Sequence, residues 1–185
     1  PLTSPAVATE VPKMLELWEL ARGDLPAGSR LATTLHAEAA KDTLSQDSGR
    51  PAALIDAWIA EVHGAPEADR LAVVADSLNR GWSTTWAQLA SQILPRIFRS
   101  QGHLDRALAA VRRRPILTGH TNPWSLATSL RVEGQLAAET GDKEGAIRAY
   151  QGYLMLRPNP DPRLIPQRDS VKAELAALTF GEKKR

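Results

Sequence analysis

Gly141-Asp142-Lys143-Glu144-Gly145-Ala146-Ile147 repeats a pattern met 39 residues earlier, in Gly102-His103-Leu104-Asp105-Arg106-Ala107-Leu108. In both, a glycine supplies the conformational freedom that a tight interhelical turn demands. An acidic residue then falls in the first turn of the next helix, where the helix dipole favours negative charge. Five residues after each glycine stands an alanine, small enough to let two helices approach closely, and Val111 and Tyr150 share a position one turn further on. Self-similarity at such a period is the mark of a helical-repeat architecture. A fainter echo lies upstream: Gly49 and Pro66 are separated as Gly141 and Pro158 are, and Trp58 stands where Tyr150 does.

Composition agrees. Among 185 residues there are 29 alanines and 24 leucines against 15 valines and isoleucines together, so helix formers dominate and a sheet fold is excluded. Apolar residues at 43% suffice for a packed core. The absence of cysteine removes disulfides, thiolate metal sites and thiol chemistry.

Apolar periodicity and breakers divide the chain into eight or nine helices. The first is expected at residues 11–22, with Met14, Leu15, Trp18 and Ala21 on one apolar stripe, after an extended segment over residues 1–10; Gly23-Asp24-Leu25-Pro26 stops it. Ser29 is read as the cap of the second helix, Pro51 as a first-turn residue of the third, and Ser83 as a later cap. Pro95 falls inside a helix ending near Ser100, so a kink or a division is expected there. Asn122-Pro123 opens a helix reaching Thr140, residues 143–156 return, and Arg157-Pro158-Asn159-Pro160-Asp161-Pro162 forms an extended connector. A last helix spans residues 164–178, before a charged tail at 181–185.

These features resemble the tetratricopeptide repeat, a helix–turn–helix unit of 34 residues. In the clearest copy, residues 127–160, Gly134, Ala146, Tyr150 and Pro158 stand at the repeat's characteristic late positions and Gly141 marks its turn. The copy departs from the pattern with Leu130 for Trp, Ala137 for Tyr and Tyr153 for Ala; the preceding copy puts Pro95 at a small-residue position. The resemblance implies an all-α fold: a right-handed α-solenoid over residues 11–180 as a single domain, closed by the capping helix. The stretches Arg112-Arg113-Arg114-Pro115, Arg131-Val132-Glu133-Gly134 and Ala146-Ile147-Arg148-Ala149-Tyr150 are also similar to helical-repeat regions of some bacterial serine/threonine kinases and transcriptional regulators.

Chemistry finds no foothold. The chain lacks a nucleophile elbow, a phosphate-binding glycine loop, a dinucleotide fingerprint and an H-E-x-x-H zinc motif. His36-Ala37-Glu38 imitates part of a deaminase site without the cysteines that site needs. His36, His63, His103 and His120 have no metal-ligand spacing, and Glu16/Glu19 and Asp42/Asp47 read as solvated charge. No enzyme, cofactor, metal or small-molecule substrate is therefore expected.

Binding is expected instead. By the resemblance, first helices line a groove for a partner segment, which places Gln92, Arg96 and Arg99 in one copy and Thr128, Arg131, Gln135 and Glu139 in the next. Arg131 and Gln135, one turn apart, can present a fork and an amide to one carboxylate. Trp124 and Trp18 are candidate contact anchors, whereas Trp58, Trp82 and Trp86 read as core. Net charge is unevenly spread: residues 1–92 hold 7 basic and 12 acidic groups, residues 93–185 hold 16 and 9. The Arg112-Arg113-Arg114 run suits a helix C-terminus. Modest net charge and few interleaved aromatics argue against nucleic acid.

The function expected is a non-catalytic protein–protein interaction scaffold. The alternatives are a permanent accessory subunit of a larger complex, one attached to a membrane included, and the detached sensory region of a bacterial kinase or regulator. No window is long and apolar enough to span a bilayer. The start at Pro1 without Met points to processing or trimming, and with it to a periplasmic rather than a cytoplasmic setting.

Overall fold

The computed structural model describes residues 5–41, 49–79, 85–114 and 123–180. Among them it is all-helical: nine α-helices and one short 3-10 turn at Pro162–Leu164. The helices are α1 (Pro5–Ala21), α2 (Leu25–Lys41), α3 (Gly49–Val62), α4 (Ala68–Leu78), α5 (Thr85–Ser100), α6 (Leu104–Arg112), α7 (Pro123–Glu139), α8 (Lys143–Leu156) and α9 (Ile165–Phe180). The chain divides into two compact units, residues 1–80 and 81–185, where the sequence suggested one domain.

Four glycines explain the order of elements. Gly23, Gly64, Gly102 and Gly141, spaced 41, 38 and 39 residues apart, are the described residues with positive φ, from 65° to 95°. Each ends the first helix of a pair, so the hairpins are α1/α2, α3/α4, α5/α6 and α7/α8. In the first three the backbone closes with two bonds: Gly23 N–H reaches Leu20 O and Asp24 N–H reaches Glu19 O, at 2.9 and 3.0 Å, whereas at the fourth turn Gly141 N–H reaches Ala138 O at 3.2 Å. Ala65 to Ala60 and His103 to Phe98 repeat the longer bond at 2.8 Å. This double closure satisfies carbonyls that a helix end otherwise leaves open, and it needs a left-handed residue at the turn.

Gly23-Asp24 is thus the first copy of the repeat, not merely a stop. Asp24 Oδ1 accepts from Ala27 N–H at 3.1 Å, and Asp142 Oδ1 accepts from Gly145 N–H at 2.9 Å, two equivalent N-caps. The second helix therefore begins at Leu25, and Ser29 lies inside it rather than capping it. Gly49, expected at an interhelical turn, is the first residue of α3.

Other local readings need correction. Helix α1 starts at Pro5, so residues 5–10 are helical rather than extended; proline with its fixed φ suits a helix's first position. Its buried stripe is Leu17 and Leu20, while Met14, Leu15 and Trp18 are 51–57% exposed. Helix α5 runs unbroken through Pro95, which is fully buried. The caps expected at Ser83 and Asn122, the core role of Trp82, His120 and the tail at 181–185 lie outside the described residues.

In residues 1–80, α1 packs on α2, α2 on α3 and α3 on α4 around Leu20, Leu31, Leu54 and Ile55. Trp58 is buried among them, as expected. In residues 81–185, α5 packs on α6, α6 on α7, α7 on α8 and α8 on α9. There Ala127, Tyr150, Tyr153 and Val171 form a cluster flanked by Leu130, Leu154, Leu175 and Leu178. Tyr150 closes against Gly134 so tightly that a Cβ there would sit 2.2 Å from the ring. Both tyrosine hydroxyls reach α9: Tyr150 donates to Glu174, and Tyr153 to Gln167 Oε1 at 3.0 Å.

Candidate functional site

Helices α5 and α7 lie side by side, bridged by side-chain contacts at two levels. Gln88 Nε2 donates to Ser125 Oγ at 2.7 Å near their N-termini, and the Arg99 guanidinium pairs with the Glu139 carboxylate near their C-termini. Between these rungs Gln92 and Thr128 line a seam cavity of about 30 Å³ with Ser91, Val111, Ser129 and Val132, room for a water or two. The bridges follow one another in the same order along both helices, which therefore run parallel.

The candidates from sequence differ in exposure along the two helices. Gln92, Arg96, Arg99 and Thr128 are exposed, and Arg131 and Gln135 are half-buried. Arg131, Gln135 and Glu139 succeed one another at four-residue spacing, so they form one stripe of α7. Arg99 is spoken for by Glu139, whereas Arg131 and Gln135 make no hydrogen bond or ion pair among the described residues. The Trp124 side chain lies outside the described residues, although its backbone is the second residue of α7.

Tyr150 closes the far side of this stripe. Burial, with the Glu174 carboxylate accepting its proton-bearing hydroxyl, pushes the phenol far above its ordinary range. Glu139 adds to that rise and Arg131 opposes it, so both α7 charges act on the hydroxyl. Ser170 Oγ donates to the second Glu174 oxygen at 2.9 Å. Sequence reasoning missed Glu174, because a pair 24 residues apart with a turn between leaves no local spacing signal.

The arginine run proves to be internal bracing. Arg112 donates from Nε to Glu133 Oε1 at 3.2 Å and also binds the Asp142 carboxylate. Arg114 donates from Nη1 to Glu133 Oε2 at 2.5 Å and to Val111 O at 3.2 Å. The hydrogen bond from Arg112, then that from the Gly145 amide, hold the Asp142 carboxyl below the usual carboxylate range, and Asp142 in turn raises Arg112. These bonds tie the end of α6 to the middle of α7 and to the α7–α8 turn.

Elsewhere, Arg22 lies over the exposed Trp18 ring, 4.5 Å from its centroid. His36 Nε2 sits 2.9 Å from Asp56 Oδ2. A cleft of about 540 Å³ is lined by Asp56, Ile59, Ala60, His63, Ala65, Glu67 and Leu71. Another of about 470 Å³ opens at the α5–α6 turn, beside His103, Asp105, Arg106 and Thr140. Among the described residues no three His, Asp or Glu side chains converge as metal ligands, and no helix is long and apolar enough to cross a membrane.

Neither a protein-family model, nor a curated protein, nor a solved structure matches the chain.

Proposed function

We propose that the chain is a non-catalytic interaction module of the tetratricopeptide-repeat type, its hairpins stacking as a right-handed α-solenoid. On this reading the α5–α7 face receives a segment of a partner protein. One observation carries it: Arg131 and Gln135 are half-buried and make no hydrogen bond or ion pair among the described residues, whereas Arg99 is paired with Glu139. A half-buried guanidinium without an acceptor forgoes hydrogen bonds that a ligand carboxylate or peptide carbonyl would supply. Four glycine-turned hairpins support the architecture, since repeated helix pairs build extended binding surfaces.

The test is affinity capture from the source cell with the wild-type chain, Arg131→Glu and, as a control on α8, Arg148→Glu, each shown folded by circular dichroism. Retention by wild type and Arg148→Glu, with loss on Arg131→Glu, supports the face. Equal retention by all three removes it.

A second reading has its own observation. Met14, Leu15 and Trp18 on α1, and separately Met155 and Phe180 at 78% and 68% exposure, are apolar side chains left to solvent. They favour a subunit that buries these surfaces in a larger assembly. Its signature is a partner retained by all three baits at high salt, because apolar contacts are not screened.

A further inference from the structure

Glu139 does more than brace two helices, provided that the α5–α7 face is the binding surface proposed above. Arg99 lies one level beyond Gln135 on that face and is the cation a second ligand acid would reach. Its guanidinium is already held by Glu139. Arg131 and Glu139 are eight residues apart on α7, roughly 12 Å at 1.5 Å per residue, with Gln135 between them. Side chains of an extended segment that share a side are about 7 Å apart. An acid seated on Arg131 thus places its next same-side neighbour either toward the Glu139–Arg99 pair or toward uncharged Gln92 and Thr128. Arg96, exposed on α5 three residues before Arg99, is itself already engaged, so in neither direction does a second carboxylate find an unclaimed cation among these residues.

We infer that Glu139 is a specificity residue: by occupying Arg99 it limits the face to segments carrying a single acidic side chain and withholds any gain from an acidic run. Glu139 acts as an internal stand-in for the second acid. Removing its charge while keeping its shape releases Arg99 to the ligand.

The probes are two defined peptides, acetyl-Leu-Asp-Leu amide and acetyl-Asp-Asp-Asp amide, titrated into the full chain at low salt. The signals followed are the Arg131 Nε–Hε and Gln135 side-chain amide resonances. In wild type the single-acid peptide shifts both, and the triple-acid peptide binds no more than about three-fold tighter, the statistical gain of three equivalent acids alone. In Glu139→Gln the triple-acid peptide gains a further two- to five-fold, about what an exposed ion pair provides, while the single-acid peptide changes less than two-fold. Arg99→Gln in the Glu139→Gln background abolishes that gain.

Because the readout is a ratio between two ligands on one folded variant, a general loosening of the seam does not imitate it. If both peptides bind but Glu139→Gln moves them equally, the specificity assignment falls and the binding face stands. If neither peptide shifts Arg131 or Gln135, the face itself is wrong and the assignment goes with it.

Discussion

Gly134→Ala tests the packing on which the site depends. A Cβ built there lies 2.2, 2.3 and 2.9 Å from three ring atoms of Tyr150. Ordinary carbon contacts need about 3.5–4.0 Å, so the ring or the helix must retreat by well over an ångström. Tyr150 has little room to give, being 1% exposed with its hydroxyl tied to Glu174 on α9. Overpacking of this depth costs about 3 kcal/mol, the upper end of the usual range. Alanine offsets about 1 kcal/mol of that through its better helix propensity. The net loss is about 2 kcal/mol, which for a unit the size of residues 81–185 lowers Tm by roughly 8 °C. Thermal and urea denaturation read the change. Tyr150→Leu, which removes the ring, should turn the same Gly134→Ala step neutral or stabilising, a coupling of about 2 kcal/mol or more. If Gly134→Ala raises Tm, or the two changes simply add, α7 and α8 do not meet at this contact.

The caps, the brace and the tyrosines each carry a further expected outcome. Asp24→Ala should cost about 1 kcal/mol through the lost N-cap of α2, measured by urea denaturation. Asp142→Asn keeps the cap's shape but removes the charge facing Arg112. Because the folded carboxyl lies below its unfolded value, its contribution is present above the unfolded value near pH 4 and disappears as pH falls through the lower folded value. Stability profiles of wild type and Asp142→Asn should therefore converge in that acid window and differ above it. For Tyr150 the sign is reversed: its raised phenol favours the folded state up to about pH 10, and that contribution is lost as pH rises further. Absorbance titration should show one of the two tyrosines staying protonated well past pH 10 until the protein unfolds. Tyr150→Phe should cost about 1.5–3 kcal/mol, the range for a hydrogen bond to a charged group, and lift the delayed step from the titration curve.

What the sequence made legible were features written in short-range spacing. Gly102 and Gly141 announced their turns because a left-handed residue followed by a helix start is a local requirement, and α8 runs over the very residues expected, 143–156. Gly23-Asp24 carried the same signal, but Pro26 two residues later suggested a break instead. Proline in a first turn is compatible with a helix, and here it lies inside α2. The stripe of α1 was misjudged because Met14, Leu15, Leu17, Trp18 and Leu20 surround most of the helix. Periodicity cannot decide which side of such a helix faces its neighbour, and α2 selects Leu17 and Leu20. Site residues were named from a helix face, as the spacing along a single helix allows. The pairings that decide which of them remain open were not legible: Arg99 with Glu139, Arg112 with Glu133 and Asp142, and Tyr150 with Glu174 span 21–40 residues, a distance only tertiary packing sets.

The Arg99–Glu139 pairing contributes little to stability, which bears on what it is for. Arg99 and Glu139 keep 45% and 35% of their side chains in solvent, and an ion pair so exposed contributes about 1 kcal/mol at most. The buried residues of the same two helices, Leu94, Ile97 and Phe98 on α5 and Leu136 on α7, each contribute about 1.5–3 kcal/mol. Burial of apolar side chains therefore outweighs the pair, and Arg99→Gln or Glu139→Gln should leave Tm within a few degrees of wild type. The pair changes the surface it leaves rather than the fold: it neutralises Arg99 by Glu139, while Arg131 makes no ion pair among the described residues. On the proposed reading, a surface whose charge pattern can vary almost without thermodynamic consequence has the freedom needed to discriminate among partners.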